Sequence, residues 1–229
     1  MNLLCGVLGV IASFSGRLDA AFLLMLAAAV FDFFDGFAAR MLKASSGIGK
    51  ELDSLADTVS FGVLPAIMLH RQMIVLSGES VWCYIPLSIS VFTALRLAKF
   101  NVDDRQTTDF IGLPSPANAI MCGALVHYVC GVPDGCLASW ASGVLFYPVL
   151  SVVSSFLLVC GLPMFSLKFK KGQRLPKIRI AYIGVCAAAA IAVAAAGMRF
   201  SLVFIVAIPL YIVVNGIAAS VGTRQKQDS

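Results

Sequence analysis

Long apolar runs separated by short polar links extend along the whole chain. Most of them approach the ~20 residues that an α-helix needs to cross a bilayer. Because they are apolar on every face rather than on one stripe, they predict membrane-spanning helices and not the amphipathic helices of a soluble bundle. The eight predicted segments are 2–16, 20–42, 51–69, 80–100, 113–132, 137–161, 177–198 and 200–221.

The composition supports this interpretation. Of the 229 residues, 59% are hydrophobic and 13% are charged, and the mean hydropathy is +0.91. These values lie far outside the range of soluble globular proteins. We therefore expect an all-α integral membrane protein of about eight transmembrane helices, formed as a single membrane-embedded domain over residues 1–229.

The basic residues predict the orientation of these helices. If both termini face the cytoplasm, all but three of the 17 Lys and Arg residues lie on the inner side, as the positive-inside rule requires. The exceptions are Arg17, Arg71 and Arg199. A basic stretch from Lys168 to Arg179 would lie against anionic lipid headgroups. Its aromatic content is limited to Phe169, which disfavours nucleic acid as a partner. We expect the inner, cytoplasmic membrane if the source is bacterial.

Four aspartates interrupt the second and third apolar runs. Asp32 and Asp35 are three residues apart, and Asp53 and Asp57 are four apart, so each pair projects from one face of a helix. Ionisable groups within membrane segments are costly and usually functional. Two adjacent helices would bring the four carboxylates together, where a divalent cation relieves their repulsion. Oxygen ligands suit Mg²⁺, Mn²⁺ or Ca²⁺, and the lack of nearby His or Cys argues against zinc.

Helix capping and cation transport account for the aspartates less well than a metal site does. Helix N-caps do not fit Asp32 and Asp35, which come late in an apolar run. A cation transporter would show inverted repeats and broken helices near the midplane, whereas these acids gather toward one side of the membrane.

The aspartates belong to a longer pattern, Asp-x2-Asp-Gly-x2-Ala-Arg-x8-Gly-x3-Asp-x3-Asp. This pattern resembles the signature of the CDP-alcohol phosphotransferase family, and every fixed position matches. The resemblance implies transfer of a phosphoryl-linked group from a CDP-activated substrate to a hydroxyl, with release of CMP and a requirement for Mg²⁺ or Mn²⁺. It also implies that the metal is bound by Asp32, Asp35, Asp53 and Asp57, and that Asp57 is the general base. The residues implied to contact the CDP moiety are Gly36, Ala39, Arg40 and Gly49.

These residue types suit that reaction. Cleavage of a pyrophosphate requires that the charge on its oxygens is neutralised and that the attacking and leaving oxygens are held in line. Metal ions bound by carboxylates do both. Gly36 and Gly49 have no side chain, so a nucleotide could approach the backbone closely there. Arg40 offers a forked donor for phosphate, and a carboxylate can take the proton of the attacking hydroxyl. Close helix packing is a second role for Gly36 and Ala39, compatible with the first.

Further blocks resemble the phosphatidylserine-forming members of the family. They are Asn2–Gly6, Leu52–Gly62 with Pro65, Ala94–Asn101, Phe110–Ala117 and Pro163–Lys168. The resemblance implies CDP-diacylglycerol and L-serine as substrates, and a homodimer. A sister enzyme that uses glycerol 3-phosphate or an inositol phosphate is the alternative. Unlike those members, the sequence has only Met1 before the first block.

The inner end of the fourth predicted helix carries Arg96, Lys99 and Asn101. They would hold either the carboxylate of serine or the phosphate of the lipid. Ordinary membrane-interface anchoring explains Lys99 equally well. It explains Arg96 less well, because Arg96 lies one turn deeper in the membrane. Ser115 and Asn118 are weaker candidates, since a helix N-terminus accounts for them.

Overall fold

The computed structural model describes residues 1–41, 47–102, 110–161, 163–164 and 177–227. They form ten α-helices and one short strand pair. The helices are α1 Asn2–Phe14, α2 Leu18–Met41, α3 Gly47–Asp57, α4 Leu64–Ser77, α5 Ser88–Val102, α6 Ser115–Gly131, α7 Cys136–Ala141, α8 Phe146–Val159, α9 Lys177–Ala195 and α10 Ser201–Gln227. The all-α fold expected from the sequence is confirmed.

Two irregular helical segments modify this plan. A π-helical segment, Thr58–Val63, joins α3 to α4, so that a single helical rod runs from Gly47 to Ser77. A 3₁₀ segment, Val81–Leu87, leads into α5. π-Helical turns inside α-helices occur often at functional sites, and this one starts at the residue after Asp57.

Each predicted apolar segment falls on a helix, with differences in extent. The third was predicted to end at 69, but its rod continues to Ser77. The sixth, 137–161, is divided into α7 and α8 by a turn that contains Ser142 and Gly143. Within the described residues, three helices are long and apolar enough to cross a membrane: Leu18–Ala38, Gly47–Ser77 and Val81–Val102. The count of eight spans stays a prediction.

Helix α6 lies at the centre of the bundle, in contact with α2, α4, α8 and α10. Its small residues allow this position. A side chain at Gly123 would meet the ring of Phe22, whose atom Cδ2 would be 2.9 Å from the added Cβ. Ala119, Cys122 and Ala124 are fully buried. Small residues let helix backbones approach closely, as in membrane helix packing generally.

A two-residue antiparallel pair connects distant parts of the chain. Strand β1, Phe110–Ile111, pairs with β2, Pro163–Met164. Directly after β1, Gly112 adopts a φ of 77°, and the amide of Leu113 donates to the carbonyl of Leu157 at 2.9 Å. The entry to α6 is therefore fixed against the end of α8.

Candidate functional site

Three of the predicted aspartates converge in the structure. Asp32 projects from α2, and Asp53 and Asp57 project from α3. Each offers one carboxylate oxygen, and these oxygens lie within 4.8 Å of one another. Asp57 is buried, Asp32 is half-buried and Asp53 is exposed. The helical spacing of Asp53 and Asp57 puts both on one face of α3, as predicted.

This cluster fits a divalent cation. Three carboxylates at such distances repel one another unless positive charge lies between them. All the donors are oxygens, which favours Mg²⁺, Mn²⁺ or Ca²⁺ over zinc. The exposed position of Asp53 leaves the group open to solvent on one side, so a ligand can reach it.

The fourth predicted ligand lies outside this group of three. Asp35 is three residues further along α2 than Asp32, and its side chain is 61% exposed. Its metal-binding role stays a prediction.

The residues predicted to contact CDP are only partly described. Gly36 lines the cavity next to the aspartates, and a Cβ added to it would meet nothing within 4 Å. Gly49 is exposed in the first turn of α3. The side chains of Ala39 and Arg40 lie outside the described part of the chain. The open space beside Gly36 is compatible with a nucleotide close to the backbone.

A cavity of about 420 Å³ joins the aspartates to a basic and polar wall. Asp32, Asp53 and Asp57 form one side. Arg96 from α5 and Lys50 from α3 supply positive charge. The remaining lining residues are Phe33, Gly36, Ser54, Leu97, Phe100, Asn101, Pro114, Ser115 and Pro116. A ligand in this cavity would meet carboxylates and cations together, as a phosphate-bearing or zwitterionic molecule requires.

Arg96 is held in place at the cavity wall. Its Nη1 donates to Oγ of Ser115 at 2.9 Å, and Ser115 is fully buried at the start of α6. Its Nε is buried and has no hydrogen-bond partner among the described residues. Lys99, one turn further on, is exposed and is not among the residues that line the cavity. The two cations that the sequence grouped together therefore occupy different environments.

The sequence assigned no site role to two residues that line the cavity, Lys50 and Ser54. Lys50 donates to the backbone carbonyl of Asn101 at 3.1 Å, and Nδ2 of Asn101 donates to Oγ of Ser54 at 2.9 Å. These contacts tie α3 to the end of α5 beside the cavity. Ser54 lies between Asp53 and Asp57 on the helix, which was the available signal. Only the packing of α5 against α3 gives Lys50 a place in the site.

Asn2 is a third residue to which the sequence assigned no role in the site. Its Nδ2 donates to Oδ1 of Asp57 at 2.8 Å. Asn2 belongs to Asn2–Gly6, the first block that resembles the family, but nothing in that block indicates a contact 55 residues away. The start of α1 is thus part of the aspartate site.

Comparison with known proteins agrees with this site. The family described as CDP-alcohol phosphatidyltransferase matches residues 1–162. A protein of Mycobacterium bovis named CDP-diacylglycerol–serine O-phosphatidyltransferase is 36% identical over 183 residues, covering 75% of this chain and 61% of its own length. A protein of the same name from Bacillus subtilis is 37% identical, over 56% of this chain and 71% of its own length. An archaetidylserine synthase of Methanothermobacter thermautotrophicus is 37% identical, over 52% of each.

The chain belongs to the CDP-alcohol phosphatidyltransferase family. It matches about 61% of the length of its mycobacterial relatives. The three long apolar helices among the described residues agree with a membrane protein, and the matched region contains the aspartates, Arg96 and Ser115.

Proposed function

We propose that this member of the CDP-alcohol phosphatidyltransferase family transfers the phosphatidyl group of CDP-diacylglycerol to the hydroxyl of L-serine, giving phosphatidylserine and CMP. The observation that carries the proposal is the single cavity in which three carboxylates face Arg96 and Lys50. The names of the relatives supply the substrates.

In this proposal Asp32, Asp35, Asp53 and Asp57 hold Mg²⁺ or Mn²⁺. The bound metal would neutralise the pyrophosphate oxygens of the liponucleotide. The convergence of Asp32, Asp53 and Asp57 supports the assignment, and Asp35 would complete the ligand set from the exposed side.

Asp57 also acts as the general base. It takes the proton of the serine hydroxyl, whose oxygen forms a bond to the β-phosphorus of CDP-diacylglycerol. The bond from that phosphorus to the bridging oxygen breaks, and CMP leaves with the electron pair. The attacking and leaving oxygens must be held in line. A carboxylate on the cavity wall suits this role, because a general base must lie within hydrogen-bond reach of the proton that it takes.

The remaining predicted residues bind the substrates. Gly36, Ala39, Arg40 and Gly49 surround the CDP moiety. Arg96 binds the carboxylate of serine, since it lines the cavity and its guanidinium is held by Ser115. Lys99 is exposed and binds the lipid phosphate at the membrane surface. The planar guanidinium suits a carboxylate, with which it can form two parallel hydrogen bonds.

The membrane arrangement is part of the proposal. Residues 1–229 form one catalytic domain with eight membrane spans and both termini in the cytoplasm. The active site opens toward the cytoplasmic side of the inner membrane, where the positive-inside rule places Lys50 and Arg96. The lipid tails enter between helices, and the protein acts as a homodimer.

The test uses the full chain purified in detergent. It is incubated with CDP-diacylglycerol, Mn²⁺ or Mg²⁺, and labelled serine, glycerol 3-phosphate or inositol phosphate. We expect labelled lipid and CMP with serine, lost in Asp57→Asn and kept in Asp134→Asn, an exposed aspartate between α6 and α7. Product with another acceptor alone would contradict the serine assignment. A folded protein that releases no CMP with any acceptor would contradict the enzyme assignment.

A further inference from the structure

The first turn of α1 lies against the end of α3, and hydrogen bonds fix it there. Nδ2 of Asn2 donates to Oδ1 of Asp57 at 2.8 Å. Oγ of Ser60 donates to the backbone carbonyl of Asn2 at 3.2 Å. Asn2 is 4% exposed and Ser60 is fully buried. Asn2 is therefore held through both its backbone and its side chain.

The close approach of α1 depends on glycine. A Cβ on Gly6 would collide with Oγ of Ser60 and lie 3.0 Å from Cα of Ser60. A Cβ on Gly9 would lie 2.6 Å from Cδ2 of Leu64. Asn2, Gly6 and Gly9 follow the i, i+4, i+7 spacing of one helix face. This face packs on the π-helical segment that begins directly after Asp57 and on the start of α4. Asn2 therefore reaches a carboxylate that a bulkier helix face would hold away.

The chemistry of the two groups sets the direction of the Asn2 amide. An ionised carboxylate can only accept hydrogen bonds, so the NH₂ of Asn2 must face Asp57. The amide oxygen Oδ1 is buried and has no hydrogen-bond partner among the described residues. Oδ1 of Asp57 thus accepts a hydrogen bond from Asn2, and a carboxylate has a second oxygen with which it can meet a cation.

We propose that Asn2 is a positioning residue, which orients the Asp57 carboxylate toward Asp32 and Asp53. The inference rests on the proposed function, because it takes Asp57 as a metal ligand and general base. Outer partners that orient metal ligands typically change metal affinity or activity about 10–100-fold when they are removed. We expect a change of about tenfold for Asn2, within that range.

The test compares Asn2→Ala with a matched control in the purified full chain. The control is Gln72→Ala, which removes another buried side-chain amide, one that accepts a hydrogen bond from Cys130. Binding of Mn²⁺ without substrate is measured by electron paramagnetic resonance, and kcat and KM are measured with CDP-diacylglycerol and serine. We expect Asn2→Ala to weaken Mn²⁺ binding and lower kcat about tenfold each, with little change in the KM of serine. Gln72→Ala should leave the Mn²⁺ affinity and kcat within about twofold of the wild-type values.

A second variant, Asn2→Asp, changes the chemistry of the side chain but keeps its volume, so that packing is disturbed less than in Asn2→Ala. It replaces the donor by a second carboxylate, which repels Asp57. We expect a loss of kcat at least as large as that of Asn2→Ala. Folded variants with wild-type Mn²⁺ affinity and kcat would overturn the inference. If no acceptor gives CMP while Asn2→Ala still weakens Mn²⁺ binding, the positioning role holds and the proposed reaction fails.

Discussion

Arg96 and Ser115 are linked by a hydrogen bond of 2.9 Å between Nη1 and Oγ across the interface of α5 and α6. Both residues line the cavity that contains Asp57. Ser115 in turn follows the segment Gly112–Pro114, which β1 and the carbonyl of Leu157 hold in place. The orientation of the guanidinium thus depends on the link between β1 and α6.

Replacing Arg96 should affect serine more than the lipid. We expect Arg96→Gln to raise the KM of serine at least about tenfold, because a charge-assisted contact with the carboxylate is lost. The KM of CDP-diacylglycerol should change little. Steady-state kinetics of CMP release with each substrate varied measures both. Lys99→Gln is the control, and its KM for serine should stay within about twofold. A rise in the KM of CDP-diacylglycerol alone would place Arg96 on the lipid phosphate instead.

Loss of Ser115 should raise the KM of serine less than loss of Arg96 does. Ser115→Ala removes the acceptor that holds Arg96 but keeps Arg96 on the cavity wall. We expect the KM of serine to rise about threefold to tenfold, because only the orientation of Arg96 is weakened, an effect comparable to the loss of one ordinary hydrogen bond of about 1 kcal/mol. In the Arg96→Gln background, Ser115→Ala should add almost nothing, because the interaction is already absent. Additive effects in the double variant would show that Ser115 acts independently of Arg96.

The aspartate cluster should bind metal as a unit. We expect Asp53→Asn to weaken Mn²⁺ binding by more than about tenfold, since it removes a ligand and not merely an outer partner. Glu51→Gln, an exposed acid on the same helix, should leave the affinity unchanged. Titration of free Mn²⁺ by electron paramagnetic resonance gives both values. Equal affinities in the two variants would exclude Asp53 as a ligand.

Removal of metal should also lower the thermal stability. The three converging carboxylates repel one another when no cation is bound, and a ligand that binds only the folded state stabilises it. We expect a lower Tm in EDTA than in excess Mg²⁺ or Mn²⁺, and a smaller difference in Asp57→Asn. Thermal unfolding in detergent with intrinsic fluorescence measures this. The same metal response in wild type and Asp57→Asn would place the stabilising cation elsewhere.

Gly112 should be sensitive to substitution by alanine. Its φ of 77° costs an L residue about 1–2 kcal/mol. An added Cβ would also lie 2.7 Å from the carbonyl oxygen of Leu158. We expect Gly112→Ala to lower the Tm and, by displacing Ser115, to raise the KM of serine. Gly161→Ala is the control, because a Cβ there would meet nothing within 4 Å. Equal Tm values for the two variants would contradict this account.

The all-α fold followed from the sequence, because membrane helices are specified locally. In the membrane each segment must satisfy its own backbone hydrogen bonds, so length and apolarity alone indicate a helix. Helix α6, for example, spans Ser115–Gly131 within the predicted 113–132. The break between α7 and α8 depends on a local turn inside a long apolar run, which hydropathy does not resolve.

The aspartate cluster was also accessible from the sequence, since helical spacing fixes which carboxylates share a face. The convergence of Asp32 with Asp53 and Asp57 followed from the short link between their helices. The different environments of Arg96 and Lys99 did not follow, because they depend on which side of α5 faces the cavity.

Only the tertiary structure brought together residues that are distant along the chain. Asn2 reaches Asp57 because Gly6 and Gly9 let α1 pack closely, and Arg96 meets Ser115 because a strand pair fixes the entry to α6. A periodic pattern records the face on which a residue lies, but not the residue that packs against it. Such contacts arise from packing between segments, and no single segment contains that information.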